Sequence, residues 1–546
     1  MDKADIIIVG GGLAGLVAAH EATKRGRHVI LLDQEGPQSL GGQAFWSLGG
    51  LFMVDTPEQR RLRIRDSLDL AQRDWLGSAQ FDRPEDAFPK QWAKAYLDFA
   101  AGPMRPYLHQ LGMRWFPVVG WAERGGEAAG GHGNSVPRFH ITWGTGEGIV
   151  APFVRRATEA VETGLLHLAF RHEVIALDTT DGRATGVSGH ILADDPAPRG
   201  VSTNREKKAD FAYTADSVIA TSGGIGGDHA KVRALWPVDR LGKPPKTMIS
   251  GVPDYVDGRM QAAVVRAGAH AINENRMWHY CEGIRNWNPI WPNHGIRILP
   301  GPSSIWLDAN GDRMEAPCLP GFDTLSTLKR ILSTGHDHSW FILTQKIIEK
   351  EFALSGSEQN PDLTSGKWLK VLRERLGKGA TGAVEAFKER GEDFVVSDDL
   401  QTLVDGMNRL TPETPLNLDH IRDQIAMRDA ALADPAADAQ ITAIHHARTY
   451  LGDKLIRTAK PHAILDPANG PLIAVRLNIL TRKSLGGLHT DLEARVLRPD
   501  GTVFDGLYAA GEVAGFGGGG YHGYNALEGT FLGGCIFSGI KAGQNA

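Results

Sequence analysis

Residues 6–9, Ile-Ile-Ile-Val, form an unbroken apolar run, which predicts a short parallel strand covered on both faces. Leu13, Leu16 and Val17 then recur at helical spacing, and a second apolar run over residues 29–32 ends at Asp33. Further along, residues 173–177 and 184–191 flank Asp181 and Gly182 and read as a hairpin, followed by a polar loop over 193–209. Residues 217–220 give another strand, which runs into Thr221, Ser222, Gly223 and Gly224. Between 325 and 428 the apolar positions take helical spacing with charged faces, most clearly over 340–352, 368–376 and 418–427. Residues 506–546 hold 13 glycines in 41 positions, yet aromatic and apolar residues are interleaved among them, so this tract packs against something and is not a flexible linker.

A chain of 546 residues has room for a cofactor domain and a substrate domain. Its net charge of −5 shows no basic excess, so nucleic acid and anionic surfaces are not expected partners. Cys281, Cys318 and Cys535 are widely spaced and odd in number, which excludes a disulfide framework and a CxxC metal site. With the first strand starting at Ile6 and leaving no room for a leader, these cysteines predict a cytoplasmic protein. No stretch approaches ~18 consecutive apolar residues, so no transmembrane segment is predicted. His336 and His338, like His445 and His446, lack a third ligand at recognisable spacing, and no metal is expected.

The first strand leads into Gly10, Gly11, Gly12, Leu13, Ala14 and Gly15, a GxGxxG turn between strand and helix. One glycine permits the tight turn, one lets a pyrophosphate approach the backbone, and one lets the helix pack closely on the strand. The helix start offers free amide hydrogens to phosphate oxygens. Asp33, with Gln34 beside it, closes the second strand at the distance where a carboxylate accepts hydrogen bonds from an adenosine ribose. Dinucleotide binding follows from the combination. Gly41, Gly42, Gln43, Ala44, Ser47, Gly49 and Gly50 come next, and their paired glycines permit a further close approach of backbone to ligand.

Here the sequence resembles the fumarate reductase and succinate dehydrogenase flavoprotein superfamily, in which such a segment lies along FAD. The resemblance implies an α/β fold: a Rossmann-like, two-dinucleotide-binding FAD domain with an inserted α+β cap. Residues 1–272 and 461–546 would form the FAD domain and 273–460 the cap. Residues 41–50 contain no histidine, so the resemblance implies a non-covalent FAD. Val174, Thr221 and Gly223 match positions near the cofactor, as do Gly511 and Glu512, whose acidic residue binds the ribityl chain in the superfamily. Gly529 and Leu532 fall where a helix start would meet the flavin ring.

The segments at 482–487 and 521–526 are similar to those of 3-ketosteroid dehydrogenases, and Ala526 replaces the carboxylate-binding arginine of fumarate reductases. In the ketosteroid enzymes a tyrosine and a backbone amide polarise the ketone while another tyrosine takes the neighbouring proton. Tyr521 and Asn525 match the first pair, although glycine is usual at the latter position. Tyr280 and then His279 are the candidate bases. The resemblance thus implies an FAD-dependent oxidoreductase acting on a CH–CH bond beside a carbonyl, with an apolar enone or ketone as substrate. The electron acceptor is not specified. A reductase of an unsaturated carboxylate and a non-catalytic FAD-binding subunit are the alternatives.

Overall fold

In the computed structural model, which describes residues 3–377 and 379–546, the opening apolar run lies in strand β1 (Lys3–Val9), with Ile7 and Ile8 fully buried. The glycine turn leads into helix α1 (Leu13–Lys24), and the second run is β2 (Val29–Asp33). Then follow β3 (Leu166–Phe170), the hairpin β4 (His172–Thr180) and β5 (Arg183–Leu192), and β6 (Lys207–Ala220). β1 pairs in parallel with β2 and β6, and β2 with β3. Helices and loops cover both faces of the sheet at residues 6–9 of β1 and 29–32 of β2, which is why these two runs are continuously apolar. The turn between β4 and β5 has positive φ at both Asp181 and Gly182, the backbone twist that a two-residue hairpin favours.

A second sheet contains β7 (Met277–Arg285), β8 (Gly295–Leu299), β9 (Ile305–Asp308), β10 (His338–Thr344) and β11 (Leu472–Ser484). Its order is β9-β10-β11-β7-β8, and β11 runs antiparallel to both neighbours. One helix expected over 340–352 is instead strand β10 followed by a helix at Gln345–Glu351. Residues 340–343 are apolar at every position and fully buried, which suits a strand covered on both faces. Thr344 then caps the helix, accepting from the Ile347 amide. Helices at Trp368–Leu376 and Leu418–Ala430 lie where the spacing places them.

The closing segment differs from the expectation at its start. Residues 472–484 hydrogen-bond within the second sheet, so the chain rejoins the first sheet only with β12 (Arg495–Leu497) and β13 (Val503–Ala509), later than 461. β13 pairs in parallel with β6, and helix α2 (Thr530–Asn545) then lies on α1. A Cβ added at Gly539 would stand 2.7 Å from the Ala14 carbonyl, and one at Gly543 would stand 2.4 Å from that of Ala18. Only glycine allows that approach, and it brings the two ends of the chain together. No described helix is long and apolar enough to cross a membrane.

Candidate functional site

β1 ends at Val9, and the Gly10 amide donates to the Leu32 carbonyl at 2.8 Å, which turns the chain toward α1. A Cβ at Gly10 would meet the Thr221 carbonyl at 2.6 Å, and one at Gly15 would meet the Gly10 carbonyl at 2.1 Å. Gly12 is different: nothing stands within 4 Å of an added Cβ, because the residue faces an open cavity. It caps α1 without a side-chain bond, so the first amides of the helix are left for a ligand. Asp33 accepts the Gly11 amide at 2.8 Å and the Glu35 amide at 2.9 Å, while burial pushes its carboxyl up to about 6.

A single cavity, with about 260 Å³ accessible to water, runs from this turn toward the second sheet. Gly10, Gly12, Leu13, Ala14, Asp33 and Gln34 line it from the opening segment, and Gly42, Gln43, Ala44, Ser47, Gly49 and Gly50 from the next. Val174, Thr221 and Gly223 line it from the middle of the chain, and Gly511, Glu512, Gly529 and Leu532 from its last part. Gly15 and Gly41 stand behind the wall: Gly15 lets helix and turn close together, and a Cβ at Gly41 would strike Val150 at 2.3 Å. Glu512 accepts the Ser484 amide at 2.8 Å and the Gln43 side chain at 3.5 Å, and burial pushes it up to about 7.

These donors fit FAD. Uncapped helix amides suit a pyrophosphate, the Gly12 cradle would be filled by any side chain, and the Asp33 and Glu512 carboxyls on the cavity wall would accept hydrogen bonds from sugar or ribityl hydroxyls. Tyr255, Arg259 and His172 complete the end near Val174, with Arg259 donating to Gln34 at 2.7 Å. They belong to no motif in the sequence and were not anticipated.

At the cavity end on the second sheet, the wall is made of side chains. β7 alternates, so Trp278 and Tyr280 point to one face and His279 to the other. Lys483 Nζ donates to Tyr280 Oη at 3.0 Å and stands 3.6 Å from the Phe531 ring centroid. The Arg297 guanidinium lies 4.0 Å from the Tyr280 ring centroid and pairs with Glu528 at 2.9 Å, and Trp278 Nε1 donates to the same carboxylate at 2.9 Å. Burial pushes the Lys483 amine down to about 7. Burial, then Glu528, holds the Tyr280 phenol well above its usual range. Burial pushes Glu528 the other way, yet Arg297 and Lys483 hold its carboxyl below the ordinary value. Arg297 and Glu528 were not anticipated; the signal available for Arg297 was a charge inside the apolar run Gly-Ile-Arg-Ile-Leu.

Three expected catalytic residues do not reach this cavity. Gly517, Gly518, Gly519 and Gly520 all have positive φ and turn the chain inward, which seats Tyr521 beneath the first turn of α2. Its hydroxyl donates to the Thr530 carbonyl at 2.7 Å, and its ring packs on Trp75 and Tyr96. Asn525 borders a separate water-sized space with Glu123, Arg124 and His132. His279 is buried against Trp236, and burial pushes its imidazole down to about 3, which keeps it neutral. Tyr280 is the one expected catalytic side chain on the cavity wall.

The FAD binding domain family matches residues 5–532. A KsdD-like steroid dehydrogenase of Mycobacterium tuberculosis is 57% identical over 544 residues, covering 100% of this chain and 95% of that protein. Another, of Mycolicibacterium smegmatis, is 58% identical over 533 residues, covering 97% and 96%. Among solved structures, the 3-ketosteroid Δ1-dehydrogenase of Sterolibacterium denitrificans superposes with a TM-score of 0.69 at 15% identity, covering 100% of this chain and 99% of that one. A flavocytochrome c3 fumarate reductase gives 0.64 at 18% identity, covering 100% and 78%. At these identities the structural likeness concerns the fold.

Proposed function

Because the chain belongs to the FAD binding domain family, we propose that it is an FAD-dependent dehydrogenase that removes two hydrogens from adjacent carbons of a steroid-like substrate, one of them beside a ketone. The names of its full-length relatives support this reading. The observation that carries it is that Tyr280, hydrogen-bonded to Lys483, faces the same cavity as the glycine cradle.

When bound, FAD supplies the two-electron acceptor for the hydride of the second carbon. Tyr280 passes its phenolic proton to the neutral Lys483 amine, 3.0 Å from its oxygen, as it takes the proton from the carbon next to the ketone. An amine held near neutrality is suited to the exchange, since both of its protonation states are populated at working pH. The positive charge of Arg297, and the charge that Lys483 gains on accepting the proton, stabilise the negative charge that develops on the substrate. Phe531 and Leu299 supply apolar wall for a hydrocarbon skeleton. His172, the one histidine on the cavity wall among the described residues, lies at the Val174 end, in keeping with a non-covalent flavin. We place the protein in the reducing cytoplasm on its three free cysteines.

The test is anaerobic. A 3-ketosteroid added to the yellow protein should bleach the flavin absorbance, while fumarate or urocanate should leave photoreduced enzyme unoxidised. Re-oxidation by those acids together with no response to ketosteroids would overturn the proposal in favour of carboxylate reduction.

A further inference from the structure

Strand β11 is irregular where it meets the cavity. Its pairing with β7 sets Trp278 opposite Lys483 and then His279 opposite Thr481, which leaves Arg482 without a partner across the ladder. In an even strand, consecutive side chains point to opposite faces, so either Arg482 or Lys483 would turn away. The bulge removes that alternation, and both line the cavity.

The cations of this wall are not equivalent. Lys483 is engaged with Tyr280, and Arg297 with Glu528. The Arg482 side chain is half-buried and makes no hydrogen bond or ion pair among the described residues. Its stem lies against Gly251, where an added Cβ would stand 3.1 Å from its Cδ. Glu358 feels its charge without bonding to it, and burial pushes that carboxyl up to about 7; one of its oxygens is buried without a partner. His294 is kept neutral, chiefly by burial and then by Arg482.

The Arg482 N–H groups are therefore unengaged at the wall of the cavity, and a planar guanidinium fork matches a carboxylate through two parallel N–H···O bonds. A ketone oxygen would need only a neutral donor. We propose that Arg482 is an anion subsite and that the substrate is a keto acid, a steroid-derived ketone that carries a carboxylate for this guanidinium. The inference rests on the reaction proposed above and adds the second functional group of the substrate. It also accounts for a cavity wall that is apolar at Phe531 and Leu299 yet carries more cations than carboxylates at the same end.

The test uses flavin-loaded Tyr280→Phe protein, in which turnover is slowed roughly 100-fold, titrated with 3-oxo-4-androstene-17β-carboxylic acid and with its methyl ester. Binding is read from the shift in oxidised flavin absorbance. The acid should bind about 10- to 100-fold tighter than the ester, the range for a hydrogen-bonded charge pair. Adding Arg482→Gln should bring the acid down to the ester, with ester affinity and FAD content unchanged, and Arg482→Lys should recover part of the difference. Equal binding of acid and ester in the presence of Arg482 overturns the subsite while leaving the ketosteroid reaction standing. An equal loss for both ligands in Arg482→Gln assigns the guanidinium to the ketone, and loss of FAD assigns it to the cofactor; either result overturns the proposal. Failure of both compounds to perturb the yellow protein overturns the steroid reading along with it.

Discussion

The two ends of the cavity are built from different materials. At the first sheet the wall is largely backbone: glycine positions, uncapped helix amides and two carboxyls anchored to main-chain N–H groups. At the second sheet it is side chain against side chain, with Tyr280, Lys483, Arg297 and Glu528 holding one another in place. A site made of backbone is sensitive to added volume. A site made of side chains is sensitive to the loss of one functional group. The contrast can be broken or sharpened by substitution.

The effect on the cofactor itself is expected from Gly12→Val. Gly12 has φ −72° and an added Cβ meets no protein atom within 4 Å, so the fold should accept valine while the cradle does not. Thermal stability should change little, and FAD retained after desalting should fall to about a tenth or less, given how closely a pyrophosphate must approach this backbone. Full retention of flavin would show that the turn is not the pyrophosphate site.

At the other end, Tyr280→Phe should keep its FAD and lose roughly 100-fold in turnover, the scale of a lost general base. Lys483 sharpens the point through pH. Its amine is pushed down to about 7, so the proton-accepting form prevails above that pH and is lost below it. The dehydrogenation rate should therefore fall as pH drops through about 7 in the native enzyme, and Lys483→Met should abolish that inflection along with most of the rate. A profile unchanged by the substitution would remove Lys483 from the proton path.

The smallest effect is expected at Tyr521. Tyr521→Phe loses one buried hydrogen bond, to the Thr530 carbonyl, for about 1 kcal/mol of stability in urea unfolding. Turnover should stay close to native, because the ring lies off the cavity. A large loss of turnover at unchanged stability would show that the active cavity extends to the aromatic layer under α2.

What the chain announces about itself is local. The strand, glycine turn and helix at residues 3–24, the hairpin at Asp181 and Gly182, and Asp33 are all readable because each depends on neighbours a few residues away. Tyr521 stands off the cavity for a physical reason: its place beneath α2 follows from four successive positive-φ glycines, whose combined direction no spacing rule encodes. Arg297 and Glu528 were missed because 231 positions separate them, and only the tertiary fold brings the loop before α2 against β8.

By itself, then, the sequence determined that a dinucleotide cradle forms and which backbone positions make it, since steric permission is a property of each glycine. The tertiary structure alone decided which side chains face that cradle, because the bulge at Arg482, where β11 pairs with β7, turns Arg482 and Lys483 to the same side, and pairing register is settled only when two distant strands meet.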